Sequence, residues 1–410
     1  MSRATPPRHP GTSGEPGGRG PAPGAGPGAL AGCRPIWIEV DLNAVSENFR
    51  LLRNRIGTGR AILAMVKADA YGHGAVEVAR RLASDGVEWF GVAAVEEGQQ
   101  LREAGIRLPV LVLGAFSPGQ LPAMDAACLT PCAYSLSSLA SILSYSPASG
   151  GSLGFHLKVD TGMGRLGVQP DQLDEAIATI LSAGTAARLD GFFTHLSCAD
   201  DPEDPHTARQ LELFGRLAGR LRASGLTPRF VHAANSGGAL DHPASRLDLI
   251  RAGIALYGLH PSSKSSRAPL RPALALKSRL VLVRRVGAGT PIGYGRTFVT
   301  ERPGVVGTIA GGYADGVFRL LSNRGRALVR GRRVPFAGRV SMDHSALDLT
   351  QVEGAAEGDE VVLIGRQGEE EISAEEFAGW AETISYEAVC RLGRRVARVY
   401  LPEGRVEKRL

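Results

Sequence analysis

The chain has 410 residues, 43% of them hydrophobic and 21% charged, with a formal net charge of +6. That length fits two domains, and that composition fits a globular protein with a large core. The positive excess lies in scattered short clusters such as Arg330-Gly331-Arg332-Arg333, never in a long basic run interleaved with aromatics, which argues against nucleic-acid binding. Five cysteines are too few, and odd in number, for a disulfide framework, and they suit a reducing compartment. Cys128 and Cys132 lack the spacing of a zinc site, so no metal is expected. No apolar run reaches the ~18 residues of a membrane span.

In chain order, residues 1–34 come first, with 9 Gly and 7 Pro and almost no large apolar side chains, and read as a disordered leader. Leu30-Ala31-Gly32-Cys33 imitates a lipoprotein cleavage box, but the apolar stretch that should precede it is replaced by Gly and Pro. A cytoplasmic protein is therefore predicted. From about residue 44 to 258, apolar runs alternate with amphipathic segments. Eight strands are predicted, at Ala61–Val66, Phe90–Val95, Val110–Leu113, Cys128–Tyr134, Gly154–Val159, Gly191–Thr194, Phe230–Ala233 and Leu249–Ile254. Helices are predicted between most of them, as at Val76–Ala83, Glu96–Ala104, Asp171–Ala183 and Ala208–Ala223. Eight β/α units predict an α/β fold, a (β/α)8 TIM-type barrel, over residues 35–275. A doubly wound sheet would call for a Gly-rich phosphate turn after the first strand, and there is none.

After about residue 276 the rhythm changes to short strands separated by turn residues, among them Val305–Ile309, Arg326–Val329 and Glu360–Ile364, with one helix near Ala374–Thr383. Residues 276–410 thus read as a mostly β C-terminal domain.

In a barrel of this kind, catalytic residues gather at the C-terminal ends of the strands. The first strand ends on Lys67, one of only five lysines in the chain. A lysine there can form a Schiff base with a carbonyl compound or with pyridoxal phosphate (PLP), although a strand-end lysine can also simply reach solvent. The fifth strand ends in His156-Leu157-Lys158-Val159-Asp160-Thr161-Gly162-Met163-Gly164-Arg165-Leu166-Gly167, the sixth in Thr194-His195-Leu196-Ser197-Cys198-Ala199-Asp200, the seventh in His232-Ala233-Ala234-Asn235-Ser236-Gly237-Gly238, and the eighth in Arg251-Ala252-Gly253-Ile254-Ala255-Leu256-Tyr257-Gly258. The Ser236 hydroxyl, the glycines and the amides near Gly253 and Ile254 form a phosphate-binding set in the usual place for such barrels.

Together these motifs resemble alanine racemase, a PLP enzyme of fold type III. The resemblance runs from about residue 35 onward. It rests on Val66-Lys67-Ala68-Asp69-Ala70-Tyr71-Gly72-His73-Gly74, on the strand-end segments above, and on Gly293-Tyr294-Gly295, Gly312-Tyr313-Ala314-Asp315-Gly316 and Gly338-Arg339-Val340-Ser341-Met342-Asp343. It implies interconversion of L-alanine and D-alanine by two bases, feeding D-alanine to peptidoglycan. Lys67 resembles the lysine that holds PLP and acts on the D-alanine face. Tyr294 resembles the base on the L-alanine face, and His195 the histidine bonded to that tyrosine. Arg251 resembles the arginine facing the pyridine nitrogen, which as a pure donor leaves that nitrogen unprotonated. Tyr71, Asn235, Ser236, Gly253, Ile254 and Tyr386 resemble the residues around PLP and its phosphate. Arg165 and the Met342 amide resemble the substrate-carboxylate contacts.

Lys158 matches a lysine carbamylated in some members, and Asp200, Tyr313, Arg319 and Arg339 resemble residues at the substrate entrance. The resemblance also implies a homodimer whose active sites are shared between subunits, with the first strand, near 35–40, joining the β domain. The alternative is a racemase of serine or of a broad set of amino acids.

Overall fold

The computed structural model describes residues 30, 32–148, 150–265, 267–403 and 405–407. Apart from residues 30 and 32–34, the predicted leader lies outside them.

The chain opens with strand β1 (Ile36–Asp41) and a helix at Leu42–Ile56. The Asp41 carboxylate caps that helix, accepting from the N–H groups of Asn43 at 2.8 Å and Ala44 at 3.1 Å. Val45, Phe49, Leu52 and Ile56 recur at helical spacing and are buried. Eight parallel strands follow: β2 (Ala61–Met65), β3 (Trp89–Val92), β4 (Val110–Val112), β5 (Leu129–Ala133), β6 (Gly154–Lys158), β7 (Arg188–Phe193), β8 (Phe230–His232) and β9 (Leu249–Ala252). Each pairs with the next along the chain, and β9 pairs with β2. The last seam, between β8 and β9, closes through Asp248 N–H to Val231 O at 3.1 Å and Arg251 N–H to Ala234 O at 3.0 Å. The result is a nearly closed TIM-type barrel. Its strands are covered on both faces, which is why they read as continuous apolar runs.

Several predicted boundaries are corrected. Val95 begins the helix Val95–Glu103 rather than ending a strand. Cys128 precedes β5 with a φ of +49°, and Ile254 opens a short 3-10 turn, Ile254–Tyr257. Helices at Leu121–Ala126 and Leu136–Ser144 complete the outer layer.

The β-rich part is organised around β10 (Leu274–Val286), a 13-residue strand. In the sequence only its middle, Leu280-Val281-Leu282-Val283, forms an apolar run that reads as a strand. Its ends carry the charged residues Lys277, Arg284 and Arg285, and a register shift between Leu280 and Leu282 divides its partners. One half pairs with β1, the other with β13 (Gly304–Ala310), after the small hairpin β11 (Pro291–Ile292) and β12 (Phe298–Val299). Then come β14 (Arg326–Val329), β15 (Arg332–Pro335), β16 (His344–Asp348), β17 (Glu360–Gln367), β18 (Glu370–Ile372), β19 (Ala397–Leu401) and β20 (Arg405–Glu407). Strand β1 lies between β10 and β19, so the chain's first strand sits in the sheet built by its last third. The predicted helix near 374–383 is two pieces, Ala374–Trp380 and Ser385–Cys390. Among the described residues no helix is long and apolar enough to cross a membrane.

Candidate active site

The C-terminal ends of the barrel strands enclose a cavity of about 890 Å³. Lys67, Tyr71, Lys158, Arg165, His195, Asp200, Asn235, Ser236, Arg251, Gly253, Ile254 and Tyr386 all line it. These residues come from six separate chain segments: the barrel topology assembles five of them, and the helix Ser385–Cys390 of the C-terminal part adds Tyr386.

Lys67 follows β2 directly, and the backbone beyond it is unusual. Ala68, Asp69 and Ala70 have φ of 50°, 55° and 53° with ψ of 48°, 47° and 49°, and Tyr71 has φ of 54°. This is one turn of left-handed helix made without glycine, at roughly 1–2 kcal/mol per residue. It persists because it is gripped from several sides. The Ala68 N–H donates to Glu97 Oε1 at 2.6 Å, and the Asp69 carboxylate accepts from Ala75 N–H at 2.9 Å. His73 Nδ1 reaches the carbonyls of Tyr71 at 2.9 Å and Ala70 at 3.1 Å. From β19, the buried Arg398 donates to Gly72 O at 3.1 Å. The turn presents Lys67 and Tyr71 to the same cavity, with the amine 6.0 Å from the Tyr71 ring centroid. Burial, then the charge of Arg165, pull the Lys67 amine below the ordinary lysine value, which increases its neutral, nucleophilic fraction.

On β9, the strand paired with β2, stands Arg251, 2% exposed. Its guanidinium donates to the carbonyls of Thr194 and Ala233, both at 2.8 Å, and to ring nitrogens of His232 at 2.9 Å and His195 at 3.3 Å. An arginine only donates, so His232 Nδ1 accepts and the His232 proton sits on Nε2. That proton faces His156 Nδ1 at 3.0 Å, a directed chain Arg251–His232–His156. Burial lowers the Arg251 pKa to about 9, leaving it protonated at neutral pH. Burial, followed by the Arg251 charge, holds His195 and His232 well below the ordinary histidine value and takes His156 down to about 3. The imidazoles around Arg251 are therefore neutral.

The phosphate-binding set is tightly built. Gly253 N–H donates to Ser236 Oγ at 2.9 Å, so this amide, predicted to be open, is engaged within the chain. The Ser236 hydroxyl proton is left to point elsewhere. A Cβ on Gly253 would fall 2.7 Å from the Tyr71 hydroxyl. The Tyr71 and Tyr386 rings lie 6.2 Å apart. Asn235 caps the helix Ser236–Asp241 and also donates to Leu196 O at 3.2 Å, tying two strand-end loops together.

Asp160 shapes the loop carrying Arg165, accepting from the N–H groups of Gly162, Met163 and Arg165. Burial alone would raise its pKa, but these backbone donors hold it below the ordinary aspartate value. Lys158 ends β6 beneath this loop, and burial is the largest of the effects that bring it to about 8.

Tyr294, Tyr313, Arg319, Arg339 and Met342 do not line the cavity. They lie on an exposed face of the β-rich part, where Tyr294 is 70%, Met342 51% and Tyr313 45% exposed. The Tyr313 N–H donates to Ser341 O, and a Cβ on Gly295 would touch the Arg339 guanidinium, so these segments adjoin. Asp315 anchors the face. It is fully buried and accepts from Arg34 at 2.6 Å and Arg395 at 2.7 Å, while Arg395 also holds Asp343. Sequence reasoning passed over Glu97 and Arg398, and it quoted His156, His232 and Asp315 within motifs without giving them a role. Their roles come from partners distant in the chain, which no local spacing encodes.

The family model for the alanine racemase N-terminal domain matches residues 40–261, and that for the alanine racemase C-terminal domain matches residues 273–400. The chain belongs to the alanine racemase family. It is 46% identical to the alanine racemase of Symbiobacterium thermophilum, over 90% of this chain and 98% of that one. It is 41% identical to alanine racemase 2 of Bacillus subtilis, over 92% and 97%. Among solved alanine racemases, that of Bacillus anthracis with bound L-Ala-P superimposes with a TM-score of 0.86 at 34% identity, over 92% of this chain and 97% of that one. The Bartonella henselae alanine racemase with covalently bound pyridoxal phosphate gives 0.81 at 30% identity, over 89% and 99%.

Proposed function

We propose that this alanine racemase family member interconverts L-alanine and D-alanine, with PLP held on Lys67 and the second base supplied by Tyr294 of the partner subunit. The observation that carries the reading is that one cavity is lined by a buried lysine with a lowered pKa, by the Tyr71, Ser236 and Gly253 cradle, and by an arginine held by histidines and carbonyls without a carboxylate. The residues fit PLP chemically. Hydroxyls of Tyr71, Ser236 and Tyr386 suit a phosphate, and the close approach of Gly253 to Tyr71 is a cradle that any side chain would fill. PLP, when bound, supplies the electron sink that makes the α-hydrogen of alanine removable.

The chain's residues do the rest. Lys67 holds or returns the proton on one face of the α-carbon. Arg251 donates toward the ring nitrogen and, lacking a carboxylate relay, gives it no proton. Arg165, exposed into the cavity, meets the substrate carboxylate, and the backbone of Met342 of the partner subunit completes that contact. His195 bonds the second base. The low pKa of Lys158 gives it the neutral amine that carbamylation requires, and a carbamate there would orient Arg165.

Tyr294 lies exposed and off the cavity of its own chain, which supports a homodimer with two shared sites. The D-alanine formed would serve peptidoglycan synthesis in the cytoplasm.

Chiral chromatography of L-alanine, and separately L-serine, after incubation with the purified protein and PLP tests this. D-alanine should dominate and should vanish in Lys67→Ala. Equal or faster D-serine formation would change the substrate and keep the mechanism. Bound PLP without a D-product from either amino acid would overturn the reading.

A further inference from the structure

Among the described residues, the peptide plane joining Lys67 to Ala68 has one side-chain partner, and it comes from the next barrel unit. Glu97 sits in the first turn of the helix Val95–Glu103. Its Oε2 accepts from the N–H groups of Ala93 at 2.8 Å and Ala94 at 3.2 Å, which caps its own helix. Its Oε1 turns the other way and accepts the Ala68 N–H at 2.6 Å. Capping needs one carboxylate oxygen, and the second is committed to the backbone beyond Lys67.

We infer that Glu97 is a positioning residue for the PLP site: its carboxylate locks the left-handed turn Ala68–Tyr71, and thereby the directions in which Lys67 and Tyr71 enter the cavity. The inference rests on the reading that Lys67 holds PLP. Holding the Ala68 N–H fixes the plane on which the Lys67 main chain ends. Released from it, four L-residues would relax toward the right-handed or extended conformations they prefer. Tyr71, at the end of the turn, would then leave Ser236 and Gly253. The other side-chain restraints act further along, on Asp69, Ala70, Tyr71 and Gly72; the bond from the Gly72 N–H to Ala68 O at 3.0 Å lies within the turn and moves with it, so neither replaces Glu97 as an anchor of the first residue from outside. Ala68 is itself exposed, so its φ of +50° is maintained without packing of its side chain.

The test uses Glu97→Gln, alone and combined with Ala68→Gly. Glutamine keeps the size but has one acceptor oxygen for two groups of donors. Glycine at 68 removes the Cβ that makes left-handed φ costly and deletes no packed atoms. PLP affinity is read by absorbance titration of apoprotein, and backbone amide exchange of residues 66–74 is read by mass spectrometry without PLP. Glu97→Gln should weaken PLP binding about tenfold and speed exchange in that segment, and Ala68→Gly should recover about fivefold of the affinity.

A helix-capping role alone would move stability, but glycine at 68 would not rescue it. Unchanged affinity in Glu97→Gln, or a loss with no rescue and no change in exchange at 66–74, would overturn the inference. If Glu97→Gln fails to fold, Glu97→Asp, whose shorter carboxylate cannot bridge both segments, takes its place with the same expectations. If wild-type protein fails to bind PLP, or Lys67→Ala binds it equally well, the proposed function fails instead, and the exchange comparison still decides the role of Glu97.

Discussion

His73, His156 and His232 are fully buried, and burial, the leading cause, holds all three in the neutral form, His73 at about 4 and His156 at about 3. The unfolded chain would titrate near the ordinary histidine value of ~6.5. With folded values below that, these groups contribute fully above about pH 6.5, and stability is lost as pH falls from there toward the folded values. Each costs ~1.4 kcal/mol per pH unit within that window. Carboxylates titrate lower, so the interval from pH 6.5 to 5 isolates the imidazoles. The urea midpoint should fall clearly between pH 7.5 and 5, and a flat profile would contradict the buried neutral assignment. At this scale Lys67 was legible because a rare residue stood at a strand mouth. His232 was not, because its meaning lies in Arg251, 19 residues away, and in His156, 76 residues away.

At the scale of elements, the left-handed turn ends at Gly72, whose φ is +81°. A Cβ there would lie 2.1 Å from the backbone oxygen of Val389, in the helix that carries Tyr386. Backbone cannot move aside cheaply, so Gly72→Ala combines strain with a clash. It should destabilise the fold by ~3 kcal/mol or more and lower PLP affinity with it, read by chemical denaturation and by cofactor titration. The barrel strands were legible as elements because most are buried on both faces and read as apolar runs; β7 was legible only from Gly191, because its start carries exposed Arg188 and half-buried Asp190. The turn was not. Lys-Ala-Asp-Ala-Tyr contains good right-handed formers, and contacts from Glu97, His73 and Arg398, with the Asp69 bond to the Ala75 N–H, hold it in the opposite hand. The length of β10 was hidden for a related reason. Its partners change along its length, so no single pattern runs through it.

For the whole molecule, the proposed function raises the question of which subunit's Tyr294 serves a given cavity. Lys67 lines the cavity and Tyr294 stands outside it on the same chain. Lys67→Ala and Tyr294→Phe homodimers should each be inactive. Unfolded together and refolded, they should regain about a quarter of wild-type activity, because half the dimers are mixed and each mixed dimer holds one intact site. If Tyr294 served its own chain, mixing would restore nothing. Sedimentation of the mixture confirms that dimers formed, so a null result would count against the shared site.

The sequence by itself determined the fold class and the family, because eight β/α units and the strand-end motifs are local patterns that survive without coordinates. It also named the residues that gather around the cavity, since a barrel brings strand ends together whatever the details of its loops. Tertiary structure decided what packing and distance control. It set the hand of the turn after Lys67, the neutral state of the histidines around Arg251, the engagement of the Gly253 amide by Ser236, and the exposure of Tyr294 away from its own cavity. Each of these depends on groups far apart in the chain, whose low-dielectric surroundings and hydrogen bonds exist only once the chain has closed on itself.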